Sequence, residues 1–294
     1  MEILENFNLK HFNTFHVSAH ARYFVNATGI DCLREALAFA RHKEIPFMLI
    51  GQGSNLLFQE DYPGLVIEIN VRGKELISED DDFYYVKARC GENWHNFVQW
   101  SLEQDYYGME NLSLIPGTVG AAPVQNIGAY GIELCDVMVS LEALEIASGE
   151  LKTFTNEECH FSYRNSVFKQ ELKDQFIIYS VTFGLRKVPR LNTGYAALAR
   201  ALEGYSADEI TPQLVSKMVC EIRRSKLPNP KRLGNAGSFF WNPEIPLEEF
   251  SALKNTYPDI VGYPNEQSVK LAAAWLIDQA GWKGYREGDV GVHE

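Results

Sequence analysis

The segment from Asn111 to Ile132, NLSLIPGTVGAAPVQNIGAYGI, contains no charged residue, and glycines at 117, 120, 128 and 131 punctuate it. In a chain with 39 acidic and 27 basic residues, so long a neutral run is unusual. One reading is structural: a buried, glycine-permitted hairpin or tight loop packed on a core, which composition alone favours. The other is a cradle, in which Gly and Ala let the backbone approach a flat or phosphorylated ligand. Peptide N–H groups and the side chains of Thr118, Gln125 and Asn126 would then supply neutral hydrogen bonds, an arrangement that suits a flavin diphosphate held without lysines. The glycine spacing is not GxGxxG, so this motif gives a Rossmann fold no support.

A length of 294 residues with 46% hydrophobic content can bury substantial cores and suggests about two or three domains. A formal charge of −12 repels polyanions, which argues against nucleic-acid or membrane-surface binding. An anionic ligand would need a local basic pocket. The five cysteines are scattered without a CxxC pair, and the histidines show no HExxH-type spacing, so neither a disulfide framework nor a metal site is expected. His95 and His160 read as structural. Neither a signal peptide nor a transmembrane run is recognisable, and the expected location is the cytoplasm.

Periodicity predicts a helix over 31–43, strands at 45–50 and 64–69, a strand in FYYVKARC followed by a helix in WHNFVQWSLEQ, and strands at 137–147 and 175–185. The acidic SEDDD of 78–82 reads as a separator, and a domain boundary is placed near residue 70. Thr211-Pro212 reads as an N-cap and first turn. Leu214, Val215, Met218, Val219 and Ile222 then mark an amphipathic helix opening a third region. A later helix is expected after Asn265, with Leu271, Trp275, Leu276 and Ile277 inward.

Three further stretches carry candidate chemistry. GQGSNLLF, residues 51–58, places Gly51, Gly53, Ser54 and Asn55 at a strand end. Alone it is an ordinary turn, but with the neutral segment it could hold the second end of one extended dinucleotide. RRSKLPNPKRLGNAGSFFWNP has no acid between Glu221 and Glu244 and reads as the anion site of an acidic chain. There Arg223 and Arg224 are read as a solvated helix face, whereas Lys226, Ser238 and Asn242 are read as functional. Ser238, after Ala-Gly and before two aromatics, is expected to present its hydroxyl as a proton donor in a water-poor setting. In YRNSVF, bulky neighbours suggest that Arg164 is partly buried, and a buried guanidinium normally has a carboxylate partner from protein or ligand.

Taken in order, NTFHV, IGQGSNLLF, SLIPGTVGAAPVQNIGAYG, YRNSVF, GNAGSFFWNP and LAAAWLIDQAGWKG resemble the UDP-N-acetylenolpyruvoylglucosamine reductase (MurB) family of bacterial cell-wall synthesis over almost the whole chain. The resemblance implies an α+β, vanillyl-alcohol-oxidase-like FAD-binding fold. Its two FAD-binding subdomains would be residues 1–70 and 71–210, with an α+β substrate-binding domain at 211–294. It implies FAD as cofactor, NADPH as hydride donor and UDP-N-acetylglucosamine enolpyruvate as substrate; a monomer is expected. Carried over by position, FAD would be held by Gly51, Gly53, Ser54, Asn55 and Leu56, and by Pro116, Gly117, Thr118, Gly120, Ala121, Gln125, Asn126, Gly128, Ala129 and Gly131. Arg164 aligns with the arginine that contacts the substrate carboxylate and Ser238 with the proton-delivering serine. Lys226, Asn242 and Gln279 align with substrate contacts, and Tyr195 with the tyrosine of long-form members, whose extra loop closes over the diphosphate.

The resemblance further implies a hydride addition to the vinyl carbon of the enolpyruvyl ether. Arg164 would stabilise the developing dianion, Ser238 would protonate the adjacent carbon, and Lys226 and Tyr195 would anchor the diphosphate. The family's second acid, a glutamate near the C-terminus, has no counterpart in GDVGVHE. The chain is therefore expected to be C-terminally shortened relative to the family and impaired in turnover. Two alternatives stay open: a flavin or nucleotide-sugar binding module without turnover, and another FAD oxidoreductase of the wider superfamily. The latter is disfavoured by the 223–232 basic stretch and by the lack of a Cys or His in the neutral segment for covalent flavin attachment.

Overall fold

Residues 1–238, 240–265 and 267–294 are described by the structure, a computed structural model. They divide into two compact units, Met1–Asn235 and Ala236–Glu294. The boundary between units therefore falls after the basic stretch begins, and the helix over Pro212–Lys226 lies within the first unit.

The first unit contains two sheets. Strands β1 (Leu4–Asn8), β2 (His20–Ala27), β3 (Phe47–Ile50) and β4 (Tyr62–Ile69) form one in the order β1-β2-β4-β3, with β4 parallel to both β2 and β3. Helix α1 (Ile30–His42) is the crossover from β2 to β3. Its buried Leu33, Ala36, Leu37 and Ala40, at the predicted spacing, meet Val25, Leu65 and Ile67 of the sheet. The same cluster takes in Leu144 and Ile177 of the second sheet, so the two sheets share apolar packing.

The second sheet is antiparallel throughout, in the order β10-β9-β11-β6-β5: β5 (Lys74–Glu79), β6 (Phe83–Arg89), β9 (Met138–Glu145), β10 (Leu151–Thr155) and β11 (Phe176–Arg186). The acidic SEDDD run is the end of β5 and the turn of the β5–β6 hairpin rather than a separator. Asp80 accepts from the N–H groups of Asp82 and Phe83 and from the Tyr85 hydroxyl at 2.7–2.9 Å, and these bonds hold its carboxyl below the usual range. Helix α2 (Trp94–Glu103) is N-capped by Asn93, whose side chain accepts from Asn96 N–H, and buries Trp94, Phe97 and Val98 against Phe183 and Val86. Helix α4 (Pro212–Lys226) begins as predicted, with the Thr211 hydroxyl accepting from Leu214 N–H at 3.1 Å. Its Val215, Met218 and Val219 pack on Leu198 and Leu202, Leu198 belonging to the short helix α3 (Ala196–Ala201).

The second unit is built on a three-stranded antiparallel sheet ordered β12-β14-β13: β12 (Glu244–Pro246), β13 (Gly262–Pro264) and β14 (Ser268–Leu271). With helix α5 (Leu247–Thr256) it buries Ile260, Val269 and Leu271. The helix expected after Asn265 starts later. Ser268–Leu271 alternates between half-buried and buried positions as a strand, so Leu271 is a strand residue, and helix α6 spans Ala273–Gln279. Among the described residues no helix is long and apolar enough to cross a membrane, and no group of three or more His, Cys, Asp or Glu is placed to hold a metal ion.

Candidate active site

The structural reading of the neutral segment describes its buried half. The segment is a chain of short 3-10 turns, at Glu110–Leu112, Val119–Ala121 and Pro123–Gln125, closed by a two-residue hairpin of β7 (Gly128–Ala129) and β8 (Ile132–Glu133). Leu112, Val119, Ala122 and Ile127 point into the core under α2, which accounts for the missing charge. Pro116, Ala121 and Gly131 remain exposed, and Gly120, Gln125, Gly128 and Ala129 are half-buried. The apolar half anchors the segment, and the exposed and half-buried residues form its outer surface, where the N–H groups of Gly117, Gly120 and Ala121 are taken by Gln52, Cys90 and Thr118.

GQGSNLLF lies against this surface. The Gln52 side-chain oxygen accepts from Gly117 N–H at 3.0 Å. A Cβ on Gly51 would come within 3.0 Å of the Thr118 hydroxyl, and one on Gly117 would lie 3.8 Å from the Ser54 hydroxyl. The two glycine-rich segments are thus brought together. Gly53 sits at φ +61°, and a Cβ there would lie 2.0 Å from the Phe12 carbonyl oxygen, so only glycine fits. Among the described residues the peptide N–H groups of Ser54 and Asn55 donate to no protein acceptor. Leu56 is turned inward toward Phe58 and Val66. Such donors, beside Gly117 and Thr118, fit a phosphate or pyrophosphate by the chemistry of backbone anion nests.

The N-terminal NTFHV braces the loop. Asn13, 2% exposed, ties its own turn through Leu9 and Val17, while Thr14 N–H donates to the Gly53 carbonyl at 3.0 Å. Thr14 and His16 also reach the basic stretch: Asn235 N–H donates to the Thr14 carbonyl, and His16 Nε2 lies 2.8 Å from the Pro230 carbonyl oxygen. Gln52, Asn13 and Thr14 were not singled out from sequence. Gln52 and Thr14 act on partners dozens of residues away, Asn13 only on its own turn, and polar residue types in turns are too common to reveal either role.

YRNSVF is stitched to the other end of the neutral segment. Arg164 Nη2 donates to the Gly128 carbonyl at 2.8 Å, the Ser166 hydroxyl to the Val124 carbonyl at 2.7 Å, and Asn126 Nδ2 to the Ser162 carbonyl at 3.2 Å. Arg164 is half-buried at φ +55° in a tight turn closed between Ser162 and Asn165. A left-handed non-glycine residue costs about 1–2 kcal/mol, which marks a position held by its surroundings. Its protein partner is a carbonyl, not the carboxylate that burial would suggest. Asn126 is fully buried; besides Ser162 it donates to Glu133 and accepts from Cys135 N–H, so protein groups consume its side chain.

Arg223 departs from its reading as a solvated charge. It is half-buried on α4, and its Nε donates to the Leu114 carbonyl at 3.2 Å, with Tyr130 close by. Burial, and then the nearby Arg164, pull its pKa downward. Neither arginine forms an ion pair with a carboxylate among the described residues. Tyr195, 44% exposed, packs edge-on to Tyr130 with ring centroids 5.3 Å apart. Lys226 is exposed at the last position of α4, and Arg224 is exposed as expected.

In the second unit, Ser238 is exposed and follows Gly237 at φ +73°, so the water-poor setting is not formed by its described neighbours. Phe239, the first of the two aromatics after it, lies outside the described residues. Asn242 Oδ1 accepts from Ala273 N–H at 2.9 Å, capping α6, and Gln279 is exposed at the other end of that helix.

His95 contributes a pH dependence. Its Nδ1 accepts from Leu114 N–H at 3.0 Å, which requires an unprotonated Nδ1, and Leu114 itself is left-handed at φ +60°. Burial, and then Arg224 and Arg223, hold the His95 pKa below its ordinary value. His95 opens onto a cleft of about 500 Å³ that also presents Glu103, Asp105, Lys217, Cys220 and Arg224. Because the folded pKa is depressed, the unfolded chain takes up the proton first. Stability should therefore be flat above the unperturbed histidine value of about 6.5, fall as pH drops below it, and level off below the folded pKa. Urea unfolding between pH 5 and 7.5 should show a shallower slope in His95→Gln, and equal slopes would refute this role.

Comparison with known proteins identifies the family of the chain. A family model described as an FAD binding domain matches residues 21–155, and one described as the C-terminal domain of UDP-N-acetylenolpyruvoylglucosamine reductase matches residues 229–294. UDP-N-acetylenolpyruvoylglucosamine reductase of Pseudomonas syringae pv. syringae (strain B728a) is 49% identical, the match covering 100% of this chain and 87% of that protein. The Flavobacterium johnsoniae protein of the same name is 47% identical with the same coverage. The crystal structure of the Thermus caldophilus enzyme (MurB) superposes with a TM-score of 0.66 at 22% identity, covering 99% of this chain and 84% of that one, and so shares the fold. With about half of its residues identical over its full length to such relatives, the chain belongs to the UDP-N-acetylenolpyruvoylglucosamine reductase family.

Proposed function

We propose that this chain is a flavin-dependent oxidoreductase that uses NADPH to reduce UDP-N-acetylglucosamine enolpyruvate to UDP-N-acetylmuramate, in the cytoplasm and as a monomer. The observation that carries the reading is the joining of the 51–56 loop to Gly117 and Thr118, with Arg164 fixed on the far end of the same neutral segment. FAD would be held by Gly51–Leu56 and Pro116–Gly131, largely through peptide groups; when bound it relays the hydride. Residues 1–70 and 71–210 divide the flavin between them, and residues 211–294 form the substrate-binding domain, with Arg164 and Tyr195 reaching the substrate from the second flavin subdomain.

The protein's part is electrostatic and positional. Hydride arriving at the vinyl carbon places negative charge on a group already bearing a carboxylate, and Arg164 is a fixed cation for that charge. Ser238 delivers a proton to the adjacent carbon, which is basic enough at that stage to take one from a hydroxyl. Lys226, Tyr195, Asn242 and Gln279 hold the remote diphosphate and sugar, so that their binding energy orients the vinyl group.

The test is spectroscopic. Purified protein mixed with FAD and freed of excess should retain resolved flavin bands, and NADPH should bleach them. Anaerobic addition of the enolpyruvyl sugar should then restore them. Retention without anaerobic reoxidation would leave a binding module in place of the enzyme.

A further inference from the structure

Between the end of β11 at Arg186 and the start of α3 at Ala196, residues 188–194 make no backbone–backbone hydrogen bond among the described residues. With no ladder to fix it, such a stretch depends on side chains for its position. Two asparagine amides supply them. Asn111, 1% exposed at the start of the neutral segment, donates through Nδ2 to the Tyr130 carbonyl and to the Asn192 carbonyl, each at 2.8 Å, so both amide hydrogens are used. Asn192 returns a bond, its Nδ2 donating to the Gly131 carbonyl at 3.0 Å. Its amide lies close over Gly131, which sits at φ +86°: a Cβ there would come 3.2 Å from the Asn192 amide nitrogen and 3.3 Å from its oxygen. Tyr195 follows shortly after this clasp. It is the N-cap of α3, where its carbonyl accepts from Leu198 and Ala199 N–H at 2.8 and 2.9 Å, and Leu198 is fully buried against α4. The ring thus has a fixed point on each side, and it rests edge-on against Tyr130, whose carbonyl Asn111 holds.

We infer that Asn192 and Asn111 are positioning residues for the substrate: by fastening the 187–195 loop to Tyr130 and Gly131, they hold Tyr195 ready for the diphosphate before the substrate arrives. The inference rests on the assignment of Tyr195 to the diphosphate proposed above. An unfastened loop spreads the ring over many positions. The substrate then binds only the competent fraction of molecules, and its affinity falls by that fraction. Once the substrate is bound, Tyr195 is in place whether or not the clasp helped to put it there. Loss of the clasp therefore raises KM and leaves kcat nearly unchanged.

The experiment compares FAD-loaded wild type, Asn192→Ala, Tyr195→Ala and the double variant. Asn192 is only half-buried, so its truncation leaves the core intact. Asn192→Ala should raise KM for the enolpyruvyl sugar, and the Kd of the UDP-sugar product, about tenfold, while kcat and flavin retention stay within about threefold of wild type. In the Tyr195→Ala background the same substitution should move either constant by less than about twofold, because a residue that acts only through Tyr195 has nothing left to act on. Trypsin reads the loop without any substrate: cleavage after the exposed Arg190 should be roughly fivefold or more faster in Asn192→Ala. An effect of full size that persists in the absence of Tyr195, an unchanged KM in Asn192→Ala, an unchanged rate of cutting, or loss of flavin from that variant each overturns the inference. Substrate binding by Tyr195→Ala as tight as by wild type would remove Tyr195 from the diphosphate, and the inference with it. Failure of wild type to retain flavin or to turn over would instead sink the reading of the site itself, on which the inference stands.

Discussion

An Arg164→Ala enzyme is expected to retain its flavin and to lose roughly 10²–10³-fold in kcat, the usual effect of removing one preorganised donor from a site where charge develops. The side chain supplies a charge and also a hydrogen bond to the Gly128 carbonyl, so loss of charge must be separated from loosening of the β7 end of the segment. Arg164→Gly provides the separation. Glycine adopts φ +55° without strain, so this variant should fold at least as stably as Arg164→Ala while losing the same turnover. Arg164→Lys restores the charge without the planar fork and should recover only part of the rate. Steady-state and anaerobic single-turnover kinetics, with flavin stoichiometry and thermal melting as controls, decide the matter. A loss below tenfold in Arg164→Ala with full flavin occupancy would remove Arg164 from the chemistry.

Gly53→Ala is expected to be the most damaging single-methyl change in the flavin loop. The added Cβ would meet the Phe12 carbonyl oxygen at 2.0 Å and the Asn13 Cα at 2.7 Å, and both are backbone atoms of a turn tied by its own hydrogen bonds. The left-handed φ of +61° adds about 1–2 kcal/mol for any side chain, and the overlap a further ~1–3 kcal/mol, for on the order of 2–5 kcal/mol in all. Displacing the loop also breaks the Thr14 N–H bond to the Gly53 carbonyl and moves Gln52 away from Gly117. Flavin retention should be lost even where the protein still folds. Gly194→Ala, where nothing lies within 4 Å of the added carbon, serves as control and should stay within about 0.5 kcal/mol of wild type. Denaturant melts of the two variants, with the visible spectrum after gel filtration, read both effects. Equal stability of the two would show that the loop gives way more easily than its backbone contacts imply.

Much of the architecture was legible because it is written in short-range periodicity. Helix α1, strands β4, β6, β9 and β11, and the capped start of α4 all appear where apolar spacing and an N-cap residue place them. The misread elements are those where one pattern serves two purposes. SEDDD has the composition of a solvated linker, yet it ends a strand and supplies Asp80 to cap the N–H groups of a hairpin turn. SVKL has an apolar pair that a helix could also use, and pairing with Glu244–Pro246 and Gly262–Pro264 makes it a strand. The neutral segment was legible as exceptional but not as divided. Which of its residues face inward depends on where Trp94 and Phe97 lie.

The sequence by itself determined the family, the order of its motifs and the candidate residues, because glycine, proline and charge spacing are local and the motifs are long. Only the tertiary structure decided which of those residues meet. It joined Gln52 to Gly117 across 65 positions and Arg164 to Gly128 across 36. It also turned Arg223 from an ordinary helix-face cation into a half-buried one whose Nε donates to the Leu114 carbonyl of the neutral segment. A charge's meaning depends on its solvent exposure and on what lies within a few ångströms of it, and both are properties of the folded chain rather than of its residue types.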